Sequence, residues 1–143
     1  MADALAFYWD ASALLSALVE DVHTRTAREI SRRPGLHLIS SLAHAEASAV
    51  LHRLVRQEVL NPREAGRLLD GLEHGPWRHS PVSPARKVLR SLNGRHPLRG
   101  ADLWHLALLL TLVRDHHPFA LVSYDRRLID AAAAEGIALT TKP

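Results

Sequence analysis

Short apolar runs of strand length alternate with stretches of helical period along this chain, and no other feature restricts the fold as firmly. The first run, Ala4-Leu5-Ala6-Phe7-Tyr8-Trp9, stops abruptly at Asp10. Leu14, Leu15 and Leu18 then mark one face of a helix over 12–19, and Asp21-Val22-His23 leads into a second helix. That helix carries Arg25, Arg28, Arg32 and Arg33, a row that reads as a solvated face. Pro34-Gly35 breaks it, and 36–40 reads as a second strand.

A long helix is predicted from about 42 to 58, with Ala47, Val50, Leu51 and Leu54 inward. Asn61-Pro62 is a cap followed by proline at the first helical position, which starts a helix ending at His74-Gly75-Pro76. The two helices form an αα-hairpin between strands. Residues 77–82 read as a third short strand, Ser83-Pro84 repeats the cap-and-proline signature for a helix to Leu92, and Asn93 to Pro97 form a loop. Asp102, His105, Leu106, Leu109, Leu110 and Val113 share one face of the next helix. A strand over 119–123, a helix over 126–135 closed by Gly136, and a strand over 137–140 complete the chain. This order predicts an α/β fold, a central mostly parallel sheet flanked by helices on both faces, in one domain of 143 residues.

Four acids fall at equivalent places in that scheme. Asp10 and Asp125 end strands, Glu46 lies just past a strand, and Asp102 opens the inward face of a helix after Arg99-Gly100. In a parallel sheet all strand carboxyl ends lie on one edge, where open α/β sheets bind ligands. For Asp10 and Ser12 the simpler role is to cap the helix that follows. Carboxylates brought together repel one another and rise in pKa unless a cation compensates. Oxygen ligands without Cys or His point to Mg²⁺, with Mn²⁺ as its substitute, over Zn²⁺.

The pieces that carry these acids are Tyr8-Trp9-Asp10-Ala11-Ser12-Ala13-Leu14-Leu15, Ser41-Leu42-Ala43-His44-Ala45-Glu46, Leu98-Arg99-Gly100-Ala101-Asp102-Leu103-Trp104-His105-Leu106-Ala107 and Val122-Ser123-Tyr124-Asp125-Arg126-Arg127-Leu128. In order and separation they resemble the PIN-domain ribonucleases, in particular the VapC-like toxins of type II toxin–antitoxin systems. The resemblance covers nearly the whole chain. It implies that Asp10, Glu46, Asp102 and Asp125 are catalytic metal-binding acids, and that Ser12 and Ser123 orient carboxylates or metal-bound water. Ser123 stands where the family often has threonine, and Trp104 is bulkier than the residue expected there. The implied reaction is Mg²⁺-dependent hydrolysis of RNA phosphodiesters, and the implied state is a cytoplasmic homodimer neutralised by a VapB-like antitoxin. Arg99 and Arg126 are candidates for holding the RNA backbone or receiving an antitoxin carboxylate, and each also has the place of an ordinary helix-end arginine.

Two other readings compete. A non-catalytic PIN-like module would bind RNA or protein through the same face, although a dead site has no physical reason to keep unpaired carboxylates together. A phosphatase with Asp10 as nucleophile lacks the usual second aspartate, since Ser12 occupies that position. His105, one turn from Asp102, reads as a packed or hydrogen-bonded histidine, and His44 and Glu46 do not share a helix face as zinc-protease ligands would.

Composition narrows the class further. There is no cysteine, which excludes a disulfide framework and any thiolate site. The longest uncharged apolar stretch, 103–113, is too short to cross a bilayer, and no secretory signal is expected at the N-terminus. Lys and Arg total 18 against 15 Asp and Glu, and all the basic residues but Lys87 and Lys142 are arginine, weak support for a nucleic-acid partner.

Overall fold

A computed structural model describes residues 6–92, 94–115 and 118–140. Ala4 and Leu5 of the expected first strand and Asn93 of the expected loop lie outside them. The elements run β1 (Ala6–Trp9), α1 (Ala11–Leu18), α2 (Thr24–Ser31), β2 (Leu36–Ser40), α3 (Ser41–Arg56), α4 (Pro62–His74) and β3 (Trp77–Ser80). Then come α5 (Arg86–Leu92), α6 (Gly100–Asp115), β4 (Ala120–Val122), α7 (Arg126–Ala134) and β5 (Ala138–Leu139). The sheet order is β3-β2-β1-β4-β5, and every strand pairing is parallel.

β1 is the centre of this arrangement. Its side chains alternate between two cores, as the pleat requires. Phe7 and Trp9 pack with Ala13, Leu14, Ile30, Ala47 and Leu72 of α1 to α4, while Ala6 and Tyr8 pack with Leu106, Leu109 and Leu128 of α6 and α7. The strand is therefore buried on both faces and reads as a continuous apolar run. Trp9 is fully buried, donates its indole N–H to His37 Nδ1 at 3.0 Å and meets Trp77 edge-on. Truncating it to alanine would cost about 3–5 kcal/mol.

Strand order reverses at β1, because β2 and β3 are added on one side of it and β4 and β5 on the other. That reversal opens a crevice at the carboxyl ends of β1 and β4. Asp10 follows β1 directly, and Asp125 lies three residues past the end of β4, after Ser123 and Tyr124.

The structure corrects three details. β3 ends at Ser80, not Val82: Ser80 Oγ accepts the Val82 N–H at 3.2 Å and turns the chain away. Ser83-Pro84 does not open α5, since the Ala85 N–H is taken by Thr111 Oγ1 at 3.1 Å and the Ala85 carbonyl accepts the first helical bond from Leu89. The inward residues of α6 also spread beyond one stripe. Leu108 and Leu112 are buried whereas Leu110 and Val113 are only half-buried, because α5 and α7 pack on α6 in addition to the sheet. On α3, Ala43, Ala47 and Leu51 are buried, with Val50 and Leu54 at the margin.

Candidate active site

Asp10 is placed by local chemistry at the end of β1. It has extended backbone geometry and caps α1, its Oδ1 accepting the Ala13 N–H at 2.9 Å. The capping role anticipated from sequence is thus real. Three further contacts exceed what a cap needs. Ser12 Oγ lies 2.7 Å from Oδ1 and 2.9 Å from Oδ2, and Ser123 Oγ donates to Oδ2 at 2.6 Å. Asp10 is only 3% exposed, and its pKa is raised because burial outweighs the lowering by Ser123, Ala13 and Ser12.

The two serines tie the ends of β1 and β4 together. Ser12 Oγ accepts the Tyr124 N–H at 3.0 Å, and Ser123 Oγ accepts the Asp125 N–H at 3.0 Å. Asp10 and Asp125 are therefore linked through Ser123. Asp125 in turn caps α7, its Oδ1 accepting the Arg127 N–H at 3.0 Å and the Leu128 N–H at 3.4 Å.

Asp102 enters from the first turn of α6. With Asp125, Arg99, Arg126 and Arg127 it lines an open cavity of about 350 Å³. Its pKa is raised by burial first and then by the nearby charge of Asp125, with Glu46 adding to the effect and His105 and Arg99 opposing it. Asp102 has no hydrogen-bond donor comparable to those around Asp10 among the described residues.

Glu46 is held by His105. Its Oε1 lies 2.7 Å from Nε2 of the buried His105, and His105 Nδ1 lies 2.7 Å from the Tyr8 hydroxyl. A carboxylate can only accept, so the neutral ring carries its hydrogen on Nε2 and Tyr8 donates to Nδ1. Burial drives the Tyr8 pKa up, which keeps that hydroxyl protonated. The expectation of a hydrogen-bonded His105 thus holds, and its partners are the new information. His44 turns away to Glu73 at 2.6 Å, so it does not join Glu46.

The structure holds the four acids in two ways. Asp102 and Asp125 line a common cavity, whereas Asp10 and Glu46 are not among its lining residues and are each held by hydrogen bonds. Among the described residues no three Asp, Glu or His side chains stand together as a metal cage. Mg²⁺ asks for less, since it is commonly bound by one or two carboxylates and completes its shell with water and phosphate oxygens. The paired, mutually repelling Asp102 and Asp125 fit that demand. Sequence reasoning missed Arg127 and Tyr8. Arg127 sits in the Asp125-Arg126-Arg127 run, and Tyr8 was marked only by its place in β1.

A family model described as PIN domain matches residues 7–134. No curated protein matches the chain. Among solved structures, the fold is similar to the crystal structure of VapC20 from Mycobacterium tuberculosis, a sarcin-ricin loop cleaving toxin. The TM-score is 0.62 at 13% identity, covering 88% of this chain and 95% of that one.

Proposed function

Because the chain belongs to the PIN-domain family, we propose that it is a metal-dependent endoribonuclease of the VapC-like toxin kind. The carrying observation is the Asp102–Asp125 pair lining one cavity with Arg99, Arg126 and Arg127, together with the hydrogen-bonded Asp10 and Glu46.

PIN nucleases use divalent metal ions, and an all-oxygen donor set favours Mg²⁺, with Mn²⁺ as substitute. Asp102 and Asp125 would hold the ion, with Asp10 and Glu46 completing the acidic set. When bound, the ion supplies charge neutralisation at the phosphate and an activated water for in-line attack. The protein's own residues supply the rest. Arg99 and Arg126 line the same cavity as Asp102 and Asp125 and would hold the phosphate backbone, whose oxygens suit the guanidinium fork. Ser12 and Ser123 fix the Asp10 carboxylate and join the strand ends that carry Asp10 and Asp125. His105 fixes Glu46.

The family resemblance extends the proposal to a single-domain cytoplasmic homodimer restrained by a VapB-like antitoxin. Among the described residues no helix is long and apolar enough to cross a membrane.

The test is incubation of the purified, partner-free chain with total RNA, in Mg²⁺ and in EDTA, with new 5′ ends sequenced. Discrete cuts that need both Mg²⁺ and Asp102 are expected. Cuts that survive EDTA or Asp102→Asn would overturn the metal-site assignment, and no cuts from folded protein would favour the binding module.

A further inference from the structure

Beside the carboxylates lies an aromatic pair that the reaction outlined above does not use. The ring of His23 stacks on that of Tyr124, with centroids 4.1 Å apart and planes 7° from parallel. Tyr124 sits between Ser123 and Asp125 in the chain, and its backbone N–H is bonded to Ser12 Oγ. Its hydroxyl is enclosed by protein without a hydrogen-bond partner among the described residues, and burial first, then the charges of Asp21 and Asp10, push its pKa up. The Tyr124 ring is thus held against the same edge as the acids.

His23 does not serve the fold as a helix cap. It occupies the N-cap position of α2, where Ser, Thr, Asp or Asn is usual, yet its side chain makes no capping bond. Neighbours secure that turn instead. Asp21 Oδ1 accepts the His23 N–H at 2.7 Å, Thr24 Oγ1 accepts the Asp21 N–H at 2.8 Å, and the Thr24 hydroxyl donates to the Ser16 carbonyl at 2.7 Å. The His23 ring has no hydrogen bond or ion pair among the described residues. The residue is exposed, so one face of its ring lies on Tyr124 and the other is open to solvent.

We propose that the His23–Tyr124 stack is a nucleobase platform, on which an unpaired base of the RNA next to the cleaved phosphate stacks. This rests on the ribonuclease reading and deepens it by naming the residues that receive a base beside the cut. Every base has a π face, so stacking on a flat ring tolerates any base identity. A base inside a duplex has both faces taken and cannot use the platform without leaving its stack. The selectivity supplied is therefore for unpaired over paired RNA at the position beside the cut. The platform is anchored at the Tyr124 backbone, whose N–H is held by Ser12 Oγ, and the phenol tip is enclosed by protein without a hydrogen-bond partner among the described residues.

The experiment uses the full chain and a synthetic oligonucleotide spanning the main cut mapped in total RNA. Steady-state cleavage is compared for wild type, His23→Ala and His23→Phe, with melting curves confirming that each is folded. His23→Ala is expected to raise KM about tenfold with kcat little changed, and His23→Phe to restore KM. A second arm replaces, one at a time, the bases flanking the cut with abasic ribose and measures Kd in the Asp102→Asn background. One abasic position should weaken binding to the otherwise unaltered chain about tenfold while leaving binding to the His23→Ala variant unchanged, because that variant has already lost the same contact. Cleavage by wild type with an unaltered KM in His23→Ala, or an abasic penalty equal in both proteins, overturns the platform alone. Absence of Mg²⁺-dependent cleavage by wild type overturns the ribonuclease reading, and the platform with it.

Discussion

Asp10 and Asp102 are both carboxylic acids whose neutral form burial favours, and they are held in opposite ways. Asp10 lies at the base of the crevice with donors from Ala13, Ser12 and Ser123 already on its oxygens. Asp102 faces an open cavity, its nearest electrostatic neighbours being another acid, Asp125, and the flanking His105 and Arg99. One carboxylate is built into the backbone that joins two strands, and the other has no hydrogen-bond donor among the described residues, its charge only partly offset by His105 and Arg99. A residue of the first kind serves stability and placement together. A residue of the second kind burdens the fold and is free to take a cation.

The sharpest test of this contrast is to neutralise each acid alone. Asp102→Asn removes a repelled charge and no donor is orphaned, so cleavage should fall by about three orders of magnitude, while the melting temperature holds or rises. Asp10→Asn should abolish cleavage as fully, but it offers one acceptor oxygen where two were used. Unpaired donors near Ser12 and Ser123 should then lower stability by about 1–3 kcal/mol, measured by urea denaturation. Equal stability losses in the two variants would erase the distinction.

The pH dependence sharpens it further. Both carboxyls titrate above their unfolded values, so the folded chain binds more protons across that window. Their contribution to stability is fully present below about pH 4, the ordinary carboxylate value, and is lost as pH rises through the raised values. Asp102→Asn should flatten part of this decline. Mg²⁺ binds only the ionised forms, so the rise in melting temperature on adding it should grow with pH. A Mg²⁺ effect that is the same at acidic and neutral pH would break the assignment of the ion to these acids.

The smallest expected effect is at Tyr8. Tyr8→Phe takes the donor from His105 Nδ1 without opening a cavity, at a cost of about 1 kcal/mol. Cleavage should decline about tenfold at most, with the loss appearing as a weaker Mg²⁺ dependence, because Glu46 is less firmly aimed. An unchanged Mg²⁺ titration would show that Glu46 needs no support from this side.

Much of the architecture was legible because it is written locally. Apolar period separates strand from helix, Asn61-Pro62 starts α4, and Gly136, at φ 79°, takes the left-handed position that ends α7. The end of β3 was missed for a local reason, the Ser80–Val82 bond, while the other two readings that failed depended on distant partners. Ser83-Pro84 has the chemistry of a helix start, but Thr111 claims the Ala85 N–H from another helix. The single inward stripe on α6 missed that α5 and α7 cover its flanks. The candidate site divides in the same way. Asp10, Asp102 and Asp125 stand out as acids at element boundaries, whereas nothing local marks Tyr8 as a partner of His105.

The sequence by itself determined which segments are strands and helices, and that acids recur where strands give way to helices. Only the tertiary structure decided that β1 lies in the middle, with the order reversing beside it, because strand order depends on how helices cover the two faces. The Tyr8–His105 and His105–Glu46 bonds join residues 97 and 59 positions apart, and the Asp10–Ser123 bond spans 113. Periodicity carries no information over such distances. Which donor reaches which carboxylate is fixed by packing, and it separates an acid held in place from an acid left open to a cation.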